Sequence, residues 1–186
     1  KNGASTAFIG CIGQDNIDKE MLHAWQALGM NTEGVKQSAS HESGVAMVYV
    51  DEQGGKNCIA LASGANATLL PTDIDPYQSW FSQAEVVLLS LEIPLPTISH
   101  TAELATAAGC RVILDPAPSC QLPESLYQHI AIMTPNENEA HMMTDIQVND
   151  PQSAQRACQI LHERGAKTVL LTMGEKGVLL SSQNQP

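Results

Sequence analysis

The sequence predicts an α/β protein built around a mainly parallel sheet, and three observations lead there. From Glu85 onward short apolar segments alternate with helical ones, and two of the helical segments close on Gly109 and Gly165. The apolar segments are hydrophobic on both faces, as strands covered on both sides by helices must be. Between Gly34 and Leu61 the period instead falls to two, which predicts one antiparallel hairpin, set on a flap or edge away from the main sheet.

Each element follows from local chemistry. Thr6 to Ile12 is apolar and β-capable, and Gln14-Asp15-Asn16 after Gly13 offers helix caps. A helix over Ile17 to Met30 would set Met21, Leu22, Trp25 and Leu28 on one face and stop near Gly29. Ser43 to Val50 and Cys58 to Leu61 form the hairpin, with Asp51-Glu52-Gln53-Gly54-Gly55 as its turn. Then come a strand over Val86 to Leu91, a helix over Pro96 to Ala108, a strand over Arg111 to Leu114 and a strand over Ile130 to Met133. A short helix from Asn136 to Met143, a long one from Asp150 to Arg164, and strands over Thr168 to Thr172 and Val178 to Ser181 complete the order.

Bulk properties narrow the function. The 186 residues are 43% hydrophobic, enough for one good core, and the net charge of −11 repels nucleic acid and anionic membrane. Apolar runs are far too short for a membrane span, and no signal-peptide core follows Lys1-Asn2-Gly3, so a soluble, cytoplasmic protein is expected. The five cysteines are scattered without a CxxC pair, and the six histidines show no zinc spacing; reduced thiols are the simpler expectation. Neither a GxSxG elbow nor a Cys-His pairing is present.

In an open α/β sheet ligands lie beyond the carboxyl ends of the strands, so the residues after each strand are the candidates. Glu92 follows Val86 to Leu91 and is suited to accept hydrogen bonds from sugar hydroxyls, or is simply a solvated loop acid. In Thr134-Pro135-Asn136-Glu137-Asn138-Glu139, Asn136 and Glu139 fall on one side of a first helical turn. By spacing alone this is a capping box; the alternative is a site orienting a phosphate or the waters of a magnesium ion. Thr172 to Gly177 carries two glycines that let backbone approach a phosphate, or that make a plain turn. Gly64-Ala65-Asn66-Ala67 is a small-residue loop that says little alone.

Taken in order, AFIGCIGQD, SGVAMVYVDEQG, SGANATL, LSLEIPL, LDPAP, MTPNENEA and AKTVLLTMGEKGV resemble the PfkB carbohydrate kinase family over nearly the whole chain. The resemblance implies a ribokinase-like three-layer α/β/α sandwich around a mainly parallel sheet. The chain would be one partial domain over residues 1–186, with a β lid at 33–66 that also makes a homodimer contact. It implies ATP with Mg2+, and K+ as a monovalent ion of the intact protein. Glu92 then resembles the acid that binds sugar hydroxyls, and Ala46 and Val48 resemble lid residues that close over the sugar. Asn136, Thr172, Met173, Gly174, Glu175, Lys176 and Gly177 match nucleotide-binding positions, and Glu139 matches the acid that touches the metal through water. At Asn136 and Glu139 the resemblance favours the ligand reading over the capping one.

Departures shape the functional expectation. Asp18 stands where the family usually has glycine. The family's upstream Gly-Gly sugar motif and its downstream Gly-Ala-Gly-Asp loop, whose aspartate is the general base, are not in the sequence, which therefore reads as a central fragment. The implied activity is ATP-dependent phosphorylation of the 5-hydroxyl of D-ribose, with the 186 residues inactive by themselves. Alternatives are a kinase of another sugar or of a nucleoside, or an inactive sugar- or nucleotide-binding module.

Overall fold

The computed structural model describes residues 3–51 and 57–183. The chain divides into two units, Lys1–Asp73 and Ile74–Pro186. Most of the turn expected at residues 51–55 lies outside the described residues.

In the first unit β1 (Ala7–Ile12) leads to α1 (Asn16–Ala27), then β2 (Asn31–Gln37), β3 (Val45–Val50) and β4 (Asn57–Ala62). Asp15 caps α1 and exchanges backbone-to-carboxylate bonds with Asp18, a capping box that satisfies two free amides of the first turn. Trp25 of α1 packs edge-on against Phe8 of β1, ring centroids 5.0 Å apart. Leu28, expected on that packed face, is exposed, because the helix ends at Ala27 and Leu28 is already its cap. Residues 31–37 overlap the start of the stretch expected to form the antiparallel flap, but they pair in parallel with β1 instead, from Ala7 opposite Asn31 to Ile12 opposite Gln37. β3 and β4 form the expected antiparallel hairpin, Val45 opposite Ala62 and Val50 opposite Asn57. A 3-10 turn, Gly64–Thr68, follows and buries Ala65.

Short helices α2 (Pro71–Ile74) and α3 (Gln78–Phe81) precede the second unit's sheet; neither stands out in the sequence, being a single turn each. The sheet contains β5 (Val86–Ser90), β6 (Arg111–Asp115), β7 (Ile130–Met133), β8 (Thr168–Thr172) and β9 (Val178–Ser182), in that spatial order. β5 to β8 are parallel and β9 is antiparallel to β8, a closing hairpin on a parallel sheet. The connecting helices are α4 (Leu95–Ala107), α5 (Glu124–Tyr127), α6 (Glu137–Thr144) and α7 (Pro151–Glu163).

The core of this unit is where helix and strand faces meet. Val112, Leu114, Ile130, Met133, Val169 and Leu171 of the strands are fully buried, as are Ile98, Ala102 and Ala105 of α4 and Ala154, Ala157 and Leu161 of α7. Alanines on the helix faces let those helices approach the sheet closely, while β-branched and leucine side chains fill the gap. This packing holds the carboxyl ends of four parallel strands at one edge. The cover expected on both faces of the strands is incomplete at the two ends of the sheet, where Val86 and Leu88 of β5 and Val178 and Leu180 of β9 are exposed.

Candidate functional site

Across that edge the strand order places Leu91-Glu92 after β5, Asp115 at the end of β6, Thr134 to Glu139 after β7 and Thr172 to Gly177 after β8. The two last segments are joined directly. The Thr172 amide donates to the Pro135 carbonyl at 2.9 Å, and Asn136 bridges to Thr172 in parallel register. Met133 ends β7 as a core anchor, and Pro135, buried, carries the chain out to Asn136.

Asn136 caps α6. Its side-chain oxygen accepts from the Glu139 amide at 2.9 Å, its amide nitrogen donates to Glu139 Oε1 at 2.7 Å, and its backbone N–H donates to Glu139 Oε2 at 2.8 Å. The capping arrangement that spacing alone favours is thus formed in full. Burial pushes the Glu139 carboxyl above its ordinary value, the bonds from Asn136 pull it back, and the negative charge of Asp115 raises it further.

After β8 the chain makes a tight turn in which the Met173 amide donates to the Gly177 carbonyl at 2.8 Å. Gly174 and Gly177 have φ of 54° and 94°, a region that suits glycine, and a methyl group on either would meet nothing within 4 Å, so their backbone is open on the outer side. The turn and the start of α6 flank a cleft of about 500 Å3 lined by Asn136, Glu137, Asn138, Thr172, Gly174, Gly177 and Val178. Lys176 stands at its side and donates to Glu137 Oε1 and to the Asn149 carbonyl, both at 3.1 Å.

A second, smaller cleft of about 380 Å3 runs over β5 and β6 toward their carboxyl ends, lined by Leu88, Leu89, Ser90, Ile113, Asp115 and Thr134. Glu92 is exposed just beyond β5, where the Leu91 amide is held by the Ala117 carbonyl at 2.9 Å. Three strand spacings separate β5 from β8, about 14 Å.

Of the residues singled out in the sequence, Asn136, Thr172, Gly174 and Gly177 meet at one cleft, with Glu139 folded back against Asn136. Met173 is buried, so its side chain belongs to the core and its backbone alone faces the turn. Glu175 is exposed on the turn. Ala46 and Val48 belong to the first unit, on one exposed face of β3 opposite Leu61 and Ile59. Three residues went unassigned in the sequence: Glu137 and Asn138, hidden inside the repeated Asn-Glu pattern, and Asp115, whose position at a strand end was the available signal.

Chemically, an exposed glycine backbone, the Thr172 hydroxyl and the Asn136 amide suit a phosphate chain. The carboxylates of Glu137, Glu139 and Asp115 oppose an anion unless a cation intervenes. Among the described residues no group of three or more His, Cys, Asp or Glu side chains could hold a metal outright. The mutual charge of Asp115 and Glu139 does fit a hard divalent ion such as Mg2+, which keeps most of its water and touches few protein oxygens. Also among the described residues, no helix is long and apolar enough to cross a membrane.

Residues 1–186 match the family model described as pfkB family carbohydrate kinase. The chain is 37% identical over 183 residues to a ribokinase of Haemophilus influenzae, covering 98% of this chain and 60% of that protein. It is 34% identical over 182 residues to a ribokinase of Staphylococcus aureus, again covering 98% of this chain and 60% of the relative. Among solved structures it is similar to an Arabidopsis thaliana ribokinase complexed with ribose and ATP, with a TM-score of 0.87 at 29% identity, covering 98% of this chain and 59% of the other. The chain therefore spans about 60% of the length of these relatives.

Proposed function

The chain belongs to the pfkB family of carbohydrate kinases, and from that premise we propose that it is the nucleotide-binding and part of the sugar-binding portion of an ATP-dependent sugar kinase acting on the 5-hydroxyl of D-ribose. The observation that carries the proposal is the cleft of about 500 Å3 where Asn136 and the glycine turn after β8 meet. Support for the sugar comes from the Arabidopsis relative, whose structure was solved with ribose and ATP.

In this reading the residues divide the work by position. Gly174 and Gly177 offer backbone to the phosphate chain, and Thr172 and Asn136 add a hydroxyl and an amide; Met173, Glu175 and Lys176 shape the turn. Asp115 and Glu139 hold the waters of Mg2+, which when bound would neutralise charge on the phosphates. Glu92 accepts hydrogen bonds from the sugar hydroxyls, and Ala46 and Val48 cover the sugar as part of a lid within residues 33–66. Phosphoryl transfer of this kind depends on positioning and charge stabilisation, with a carboxylate taking the hydroxyl proton. None of the residues assigned here takes that proton, so the 186 residues alone are expected to bind without turning over. Dimerisation through the exposed apolar faces of β3 and β4, a cytoplasmic location and activation by K+ complete the proposal.

Calorimetry with ADP and MgCl2 tests it. The chain should bind the nucleotide in a magnesium-dependent way, and Asn136→Ala should weaken binding at least tenfold. Nucleotide binding that ignores both the metal and Asn136 would refute the site, and ribose-dependent ATP consumption by a sample of this mass would refute the expected inactivity.

A further inference from the structure

The β3–β4 hairpin stands on a narrow root. Val45, Met47, Val48, Tyr49, Val50, Ile59 and Leu61 are all exposed, so beyond the ladder between its own two strands little buried surface fixes its direction. Direction is therefore set where the hairpin joins the unit, at residues 42–44 and 62–65.

That root is built tightly around a buried carboxylate. Asp18 is 1% exposed, although nothing in its capping role at α1 demands burial. One of its oxygens accepts the Asp15 amide at 3.1 Å, and the other accepts the Ser43 hydroxyl. The Ser43 oxygen in turn accepts the Gly13 amide at 2.8 Å. Two hydrogen bonds thus run from the β1–α1 turn through Ser43 to Asp18 of α1, and a third, from Asp15, ties Asp18 back to the turn. The second strand is tied in beside it, the Ala65 amide donating to the Glu42 carbonyl at 2.8 Å.

Glycines make this approach feasible. A methyl group on Gly13 would lie 2.7 Å from the Asp18 carboxylate and 2.8 Å from the Ser43 nitrogen, and one on Gly64 would lie 2.5 Å from the Glu42 carbonyl. Backbone is packed on backbone at the root, and a buried charge that loses its partner there is costly.

We infer that Asp18 and Ser43 are positioning residues: their hydrogen bond is a latch that fixes the root of the β3–β4 hairpin and so sets the orientation and opening rate of the strands that carry Ala46 and Val48. The latch itself follows from contacts within the first unit. Its consequence for sugar binding rests on the proposed role of the hairpin as a lid.

Hydrogen exchange on the second-to-minute scale, read by mass spectrometry on peptides covering residues 45–50 and 58–62, tests the latch in the full chain. Ser43→Ala and Asp18→Asn should each raise exchange in those peptides by about tenfold or more, tenfold being the lower end of what a bond to a charged group is worth. Peptides from β6, β8 and α7 should be unchanged, and Ser43→Thr, which keeps the hydroxyl, should restore the wild-type rate. Unchanged hairpin exchange in Ser43→Ala, or equal acceleration throughout the chain, would overturn the latch. A second arm adds D-ribose. Protection of residues 45–50 in the wild type that weakens in Ser43→Ala extends the latch to sugar binding, whereas a latch effect without any ribose protection refutes the lid reading and leaves the latch in place.

Discussion

Replacing Asn136 by alanine separates what this residue does for the helix from what it does for a ligand. Asn136→Ala removes two side-chain bonds, the one accepted from the Glu139 amide and the one donated to Glu139 Oε1, and keeps the backbone bond to Glu139 Oε2. Loss of an N-cap costs about 1 kcal/mol, and the second bond, to a half-exposed carboxylate, adds a few tenths. For a chain of this length each kcal/mol moves the melting temperature by roughly 2 to 4 °C, so a drop of about 3 to 5 °C is expected. Asn136→Ser keeps a cap and should recover most of it. Nucleotide affinity should behave differently, falling in both variants because serine cannot reach as an amide does. Calorimetry and thermal melts on the same samples check this. Recovery of affinity together with stability in Asn136→Ser would show that Asn136 only caps α6, and the assignment of the residue to the nucleotide would be wrong.

Glu139 sets a pH dependence whose sign follows from its raised pKa. The folded chain holds that proton more tightly than the unfolded chain, so the stabilising contribution is present at low pH and is lost as pH climbs from the ordinary carboxylate value through the raised one. A divalent ion competes with the same proton, so magnesium-dependent nucleotide binding should strengthen across that window, and Glu139→Gln should flatten the slope while keeping the cap; calorimetry from about pH 4 to pH 8 reads it. Gly177→Ala should destabilise by about 1 to 3 kcal/mol in chemical denaturation, since the position has φ of 94° and the added methyl meets no neighbour, leaving backbone strain as the whole cost. Iodoacetamide at mildly alkaline pH should label exposed Cys58 first, while Cys158, fully buried and with its thiol pushed up to about 11 by burial, should react only on unfolding; mass spectrometry of the labelled peptides checks the order.

Much of the second unit is legible because its signals are local. The apolar run Val169 to Leu171 reads as a strand and is largely buried as one, and Asp150 with Pro151 announces the start of α7 before any packing is known; the equally apolar Val45 to Val50 reads as a strand too but is exposed. β2 is the counterexample: Asn31 to Gln37 pairs with β1 through backbone bonds, and with Val35 as its one large apolar side chain the stretch does not reveal which strand it joins, so its end reads as part of the flap. The single-turn helices α2, α3 and α5 are equally silent, since one turn has no period.

The candidate site divides in the same way. Asn136 and Glu139 three residues apart, and two glycines after a strand, are patterns within one stretch of chain, so the cap and the turn could be read in order along it. By itself the sequence determined the α/β class, the longer helices and the candidate loops after the strands, because propensity, capping and burial act over a few neighbouring residues. Only the tertiary structure decided that Asn136 lies against Thr172, that Asp115 bears on Glu139, and that Asp18 is buried beneath Ser43. Those pairs are separated by many residues, and what joins them is strand order and close packing, which no local stretch of the chain encodes.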